Sequence, residues 1–314
     1  MSNKANTFLS PIGGALLPGN ILRFNKILQA QNILVPPKKV YYVDCRVTSS
    51  GNGRTWQRAF KTIAEAITAN NADIDWGETP WNVDNWIFIA QGEYAEALTS
   101  IPHSCHMVGC GVLGTDGAVE IHPAAGACMA GTGLNLTLHN IRFEVTDANP
   151  VLDFGTCNNV LIEGCEIVCG VAGTGTHGIS TENATHLRLW NNSFQFGGAS
   201  GGFSHGIYAA GGADKYLHHS DIRGNIIQGL RDAGTGIYIQ NTCTATNTII
   251  RDNIIKVPTT GKGIDDNNGG SLCVHNWISV AGAGDAIEHA GGAGMTIDNH
   301  VVVNGTGAIE VTSS

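Results

Sequence analysis

The tripeptide His-Gly-Ile stands at 177–179 and again at 205–207, and each copy opens a stretch of similar texture. A recurrence of this kind limits the available folds more than composition does, because each repeat must be a unit that stacks on its neighbours. Alignment on the apolar residue after the small one brings Leu152, Ile179, Ile207, Ile237, Ile264, Ile287 and Ile309 into register, at intervals of 27, 28, 30, 27, 23 and 22 residues. A second segment follows in every unit: LTLHNIRF from 136, VLIEGCEI from 160, LRLWNNSF from 187, SDIRGNII from 220, TIIRDNII from 248, LCVHNWIS from 272 and MTIDNHVV from 295. Each reads apolar-x-apolar, then a polar bend, then apolar again, which is the period of a strand.

Several short strands per unit with no helical pattern between them predict a coil of β-structure, and the LxxLxLxxN signature of leucine-rich repeats is absent. The fold expected is all-β, a single-stranded parallel β-helix with one repeat per turn. The competing reading is an antiparallel β-sandwich whose spacing is coincidental. In the β-helix the Ile of each unit points into the core, and the preceding Gly lets the chain bend into the strand. Strands stacked about 4.8 Å apart make eight or nine coils a rod roughly 40 Å long. Asn140, Asn191, Asn276 and Asn299 stand two residues after an apolar residue read as inward, and Asn225 and Asn253 three after. They are expected at a sharp left-handed bend, stacked and hydrogen-bonded along the axis.

Composition fits an ordered fold with many tight bends. Of 314 residues, 42 are Gly and only 9 Pro, which excludes collagen and Pro-rich disorder, and the 42% hydrophobic share is ample for a core. No stretch approaches the roughly 18 apolar residues of a membrane span. The net charge of −9 argues against nucleic acid as a partner. Nine cysteines, an odd set without a CxxC pair, read as reduced thiols in a protein made in a cytoplasm. The first twenty residues lack the pattern of a secretory signal.

The segment before the coils carries more specific motifs. YYVDCRVTSSGNGRTWQRAFKTIAEAI (41–67) is followed by WIFIAQGEYAEAL (86–98) and IPHSCHMVGCG (101–111). This resembles the entry segment of pectin-lyase-like right-handed parallel β-helix proteins: Tyr42-Val43-Asp44, a Gly/Asn-rich loop at 49–54, a short helix over 59–69, a turn at Gly92–Tyr94 and a strand ending Gly109–Gly111. The resemblance covers about 40–314 and implies a right-handed solenoid. The helix, with Phe60, Ile63, Ala64 and Ile67 on one face, is expected to lid the first coil. The superfamily includes pectate lyases, polygalacturonases, phage tailspikes and other virion β-helices. Of the polygalacturonase patterns only one Asp pair, Asp265-Asp266, occurs, and the lyase R-x-P-x-x-R motif does not. The character is closest to the virion proteins.

By alternation the residues after the core Ile face outward, as the column Asp153, Ser180, Tyr208, Tyr238, Asp265, Glu288, Glu310. Two tyrosines beside acids make a candidate glycan strip, or alternatively ordinary solvated surface. Asp265, Glu288 and Glu310 are the catalytic candidates, in case two carboxylates reach glycosidase spacing. A second column, His139, Glu163, Trp190, Arg223, Arg251, His275, Asp298, adds Trp190, Arg223 and Arg251 as candidate glycan contacts, against a surface ladder paired with Asp221 and Asp252. In HSCHMVGC (103–110) alternation puts Cys105 and His106 on opposite faces, so no metal site is expected, and no cofactor. His177 and His205 are expected to stack at a turn.

Three segments result: an attachment arm at 1–39, the entry at 40–111 and the coils at 112–314. The arm, with Ile21, Leu22, Phe24, Ile27, Leu28, Ile33 and Leu34 ahead of Pro36-Pro37, is too apolar for a free linker. The C-terminal GTGAIEVTSS begins another coil without a capping helix, which leaves an end that wants covering. These features predict a structural protein of a bacteriophage virion, synthesised in the host cytoplasm. It would be a spike, fibre or capsid decoration that contacts other virion proteins through the arm, self-associates with a trimer favoured, and recognises cell-surface polysaccharide. The alternative is a polysaccharide lyase or glycoside hydrolase using the outer acids. A surface adhesin is a third class.

Overall fold

The computed structural model describes residues 39–74, 84–170, 177–196, 202–289, 294–303 and 311–313. The sandwich alternative is excluded, because every strand pairing between successive units is parallel. The strands form an 18-stranded sheet, which folds around two sides of the coil, and a nine-stranded sheet along the third. The chain is therefore an all-β parallel solenoid. Of the expected register, Leu152, Ile179, Ile207, Ile237, Ile264 and Ile287 pair one over the next. All six are buried. The stack extends backward through Met129 to Leu98. Its last step differs from the expectation: Ile287 pairs with Val311, not Ile309.

On the second side ten residues stack facing inward, Tyr41, Ile87, Met107, Leu138, Ile162, Leu189, Ile222, Ile250, Cys273 and Thr296. Ten rungs about 4.8 Å apart give a height of roughly 43 Å. The nine-stranded sheet supplies the opposing wall, from Tyr94 through Phe143, Ile167, Phe194, Ile227 and Ile255 to Ile278.

The Gly before the core Ile in four of the units has a different reason from the one expected. Gly178, Gly206, Gly236 and Gly263 are not in the left-handed region. They face the core: a Cβ on Gly206 would lie 2.7 Å from Ile227 and 2.7 Å from the carbonyl oxygen of Gly236, and the other three are as crowded. Glycine is there because the opposing wall approaches too closely for any side chain.

The helix spans Ile63–Ala72, four residues later than its expected start. Thr62 and Glu65 form a reciprocal capping box, and Glu96 accepts from the amides of Ile63 and Ala64 at 2.9 and 3.0 Å. Ile63, Ala66, Ile67 and Asn70 are its buried residues, whereas Ala64 is exposed and Phe60 packs from a bridge to Val43 instead. Ile63 and Ile67 join the same core as Tyr41, Val43 and Ile87.

The asparagines divide into two jobs. Asn192, Asn225, Asn253, Asn276 and Asn299 form a ladder, buried except at its last, half-buried member. Each amide nitrogen from Asn192 to Asn276 donates to the next Oδ1 at 2.9–3.0 Å and also to a carbonyl inside the coil. The left-handed backbone belongs to the residue before: Asn191, Gly224, Asp252, His275 and Asp298. Asn140 sits in that corner column too, not in the ladder. A second left-handed column, Asn135, Asn159, His186, His219 and Asn247, turns the chain at the preceding corner.

Candidate functional site

The outer face of the Ile-stack strands carries the first expected column, and the structure brings it together. Asp153, Ser180, Tyr208, Tyr238, Asp265 and Glu288 follow one another rung by rung. Glu310 lies outside the described residues, and the residue opposite Glu288 is Thr312.

His177 and His205 join this strip, which sequence reasoning missed by placing them at a turn. Simple alternation would turn them inward, two residues before the core Ile. Because the intervening Gly and the Ile both face the core, the His is left on the outer side. The rings of His177 and Tyr208 stack at 4.4 Å, those of His205 and Tyr238 at 4.7 Å, and those of the two tyrosines at 5.8 Å. The two imidazole Nδ1 atoms are 3.1 Å apart. Burial, followed by the nearby Arg231 charge, pushes His177 down to about 4; burial, then His177 and Arg231, pushes His205 down to about 3. Both are neutral at physiological pH. Tyr208 donates to Gln240 at 2.7 Å. The aromatic faces are thus occupied by one another, and what the strip presents outward is ring edges and polar atoms.

The acid end of the strip is closed down. Asp265 is buried rather than solvated, at 4% exposure. Lys262, one of the residues not foreseen, lies 2.8 Å from Asp265 and also pairs with Glu288. Desolvation raises the Asp265 carboxyl despite the ammonium beside it. One lysine therefore pairs with two of the three catalytic candidates, through Oδ2 of Asp265 and through Glu288, while Oδ1 of Asp265 is buried without a hydrogen-bond partner among the described residues.

The second outer column holds as expected only as far as Arg251. His139, Glu163, Trp190, Arg223 and Arg251 stack in order, and the next rungs are Val274 and Ile297. His275 and Asp298 are displaced to the left-handed corner. Trp190 is not an open platform: the Arg223 guanidinium lies 3.7 Å from its ring centroid and that of Arg188 5.5 Å. Arg251 makes a two-pronged pair with Asp221, 3.1 Å on each arm. Arg223 and Arg251 are thus members of a ladder of pairs with Asp221. Asp252 stands at the corner, near His275.

The remaining candidates resolve simply. Cys105 is buried while His106 faces outward, 2.6 Å from Asp84 and stacked on Trp86, so the two point apart as alternation requires. All nine cysteines are free thiols; burial pushes Cys157 up to about 11 and Cys273 to about 12, which leaves them protonated. The arm residues Ile21, Leu22, Phe24, Ile27, Leu28, Ile33 and Leu34 lie outside the described residues.

Fold and strip together define a parallel β-solenoid whose polar outer columns are mutually paired. No family model, curated protein or solved structure compared with the chain matches it.

Proposed function

We propose that this chain is a structural protein of a bacteriophage virion, a spike, fibre or capsid decoration that recognises glycan and does not cleave it. The observation that carries the non-catalytic part is the Lys262 clamp on Asp265 and Glu288. A retaining or inverting glycosidase needs one of its two carboxylates free to attack or to activate water. The ladder-locked rod supports a recognition role, because a rigid surface loses little entropy on binding. The virion assignment rests on the right-handed β-helix resemblance of 41–111 and on the apolar arm. In this reading the helix at 63–72 lids the first coil. The arm engages other virion proteins. The chain self-associates, a trimer being favoured, with Ile249, Met295 and Ile297 offering apolar contact area on the second side.

Two measurements test the reading. Mass spectrometry of purified particles should find the protein at structural copy number; its absence from particles sinks the virion assignment. Wild-type protein, Asp265→Asn and Glu288→Gln should all release no reducing or unsaturated ends from host-type polysaccharide. Steady release by wild type that is lost in either variant promotes the lyase or hydrolase alternative.

A further inference from the structure

The large apolar residues exposed among the described residues are Ile226, Ile249, Ile254, Trp277, Met295 and Ile297, and all six fall on the last four of the ten rungs. They occupy two adjacent sides of the coil and meet at one corner. On the second side Ile249 and Met295 flank the half-buried Leu272 in one column, and Ile297 follows the half-buried Val274 in the next. On the nine-stranded sheet Ile226, Ile254 and Trp277 succeed one another. Trp277 lies beside His300 at 4.2 Å and keeps half its surface exposed. Between the two groups runs the left-handed corner, where Asp252 and Asp298 stand exposed on either side of His275. Of the nearby cations, Arg251 is held by Asp221 and Lys256 lies two residues beyond Ile254.

An apolar surface with an acidic seam suits a partner that is both apolar and basic. Residues 1–38 have that chemistry. They hold four of the chain's 17 cations and none of its 26 acids, which leaves 13 cations against 26 acids in the rest. Arg23 and Lys26 stand among Ile21, Leu22, Phe24, Ile27 and Leu28. We infer that this arm docks on the corner of the last four rungs of a second copy of the chain. Its apolar residues cover Ile254, Trp277, Met295 and Ile297, and its cations answer Asp252 and Asp298. Reach favours a second copy over the same copy. The patch begins at the seventh rung, about 29 Å along the axis from the first, and ends at the tenth, about 43 Å away. Ten residues separate Leu28 from Lys39 and span at most about 40 Å when fully extended. The chain's own arm could cover the patch only with that connection drawn almost straight, at a large loss of conformational freedom. A copy following along the same axis brings its first rung, and so its arm, next to the last rung of the copy ahead. Donor and acceptor surfaces differ, so with the axes in line the contact repeats end to end into a fibre. The inference rests on the self-association in the proposed function and is independent of its virion and glycan parts.

The test uses two full-length variants, followed by sedimentation over about 1–100 μM, the range expected of a small contact. Ile21→Asp with Phe24→Asp spoils the arm and leaves the patch. Ile254→Asp with Met295→Asp spoils the patch and leaves the arm. Wild type should grow in mass with concentration and neither variant should, whereas a mixture of the two should form a one-to-one complex. Trp277→Ser, the milder patch change, should weaken association roughly tenfold, and Asp298→Lys should weaken it less, with unchanged circular dichroism throughout. An arm variant that associates as strongly as wild type overturns the inference and leaves self-association to another surface, as does a wild type that grows while the mixture is inert. A wild type that keeps one mass while the mixture pairs assigns the patch to the chain's own arm, which also overturns it. A wild type that keeps one mass beside an inert mixture removes the proposed self-association as well.

Discussion

His205 shows how far one residue can depart from its sequence appearance. It lies between the rings of Tyr208 and Tyr238 and beside His177, with Arg231 near enough to repel a proton. Burial is the larger cause of its fall to about 3, and of the fall of His177 to about 4. The unfolded imidazole titrates near 6.5. Between that value and the folded ones the unfolded chain binds more protons, so stability rises with pH. The contribution is complete above about pH 6.5 and is lost as the pH falls toward 4. Asp266 works the same way at lower pH. Burial alone would raise it, yet hydrogen bonds from His289 and Ser271 hold it below the usual carboxylate range, so its share is lost only below about pH 3.9. Urea unfolding at pH 7 and at pH 4.5 brackets the imidazoles and spares Asp266; the raised Asp265 and Glu120 carboxyls act with the opposite sign in wild type and variant alike, so the difference between the two proteins reads the imidazole. From pH 7 to pH 4.5 wild type should lose more stability, or gain less, than His205→Gln. Equal slopes would show that the pair is not desolvated in solution.

Among the elements, the Asn corner gives the most discriminating test, because two adjacent residues of one type have opposite roles. Asn191 takes φ of 56° at an exposed corner, so Asn191→Gly should be neutral or slightly stabilising. Asn192 is buried, donates to Ile162 and Asn225, and accepts from the Cys165 amide. Asn192→Gly leaves several of those groups buried and unpaired, at about 1–3 kcal/mol each, and denaturant midpoints should separate the two variants plainly. This corner is also where the sequence was misread. The core register was legible from Leu152 to Ile287, since a large aliphatic residue recurs in every one of those units, behind a Gly in four of them. At LCV (272–274) and MTI (295–297) the more apolar residues are the outer ones, and Cys273 and Thr296 continue the inner stack. Reading Val274 as inward shifted His275 and Asp298 by one position and counted Asn276 from the wrong residue. The strip was legible as a column; its closure by Lys262 and by ring stacking was not, because it depends on side chains brought together from successive coils. The core prediction remains simple: Ile237→Ala, fully buried between Ile207 and Ile264, should cost about 2–5 kcal/mol, and a loss under about half a kcal/mol would contradict its place in the stack.

At the scale of the whole molecule, the division of labour between arm and rod can be cut apart. Lys39 already belongs to the rod: its carbonyl accepts from the Trp86 amide at 2.9 Å and its ammonium pairs with Asp73. The informative deletion therefore ends at Lys38, one residue short of the boundary suggested by the sequence. The remaining chain keeps the first rung, the helix at 63–72 and the continuous core, so it should fold with the β-rich circular dichroism and the unfolding midpoint of the full chain. If the apolar arm is the anchor, that rod should no longer join particles lacking the protein. Full-length chain should bind them with little sensitivity to salt, as an interface built on Ile21, Leu22, Phe24, Ile27 and Leu28 implies. Sedimentation of each form with such particles decides the matter. Equal binding by the deleted form would remove the arm from the attachment mechanism and move the search to the apolar Met295 and Ile297 end of the rod. Failure of the deleted form to fold would make residues 1–38 part of the solenoid itself, with attachment then to be sought at the same end.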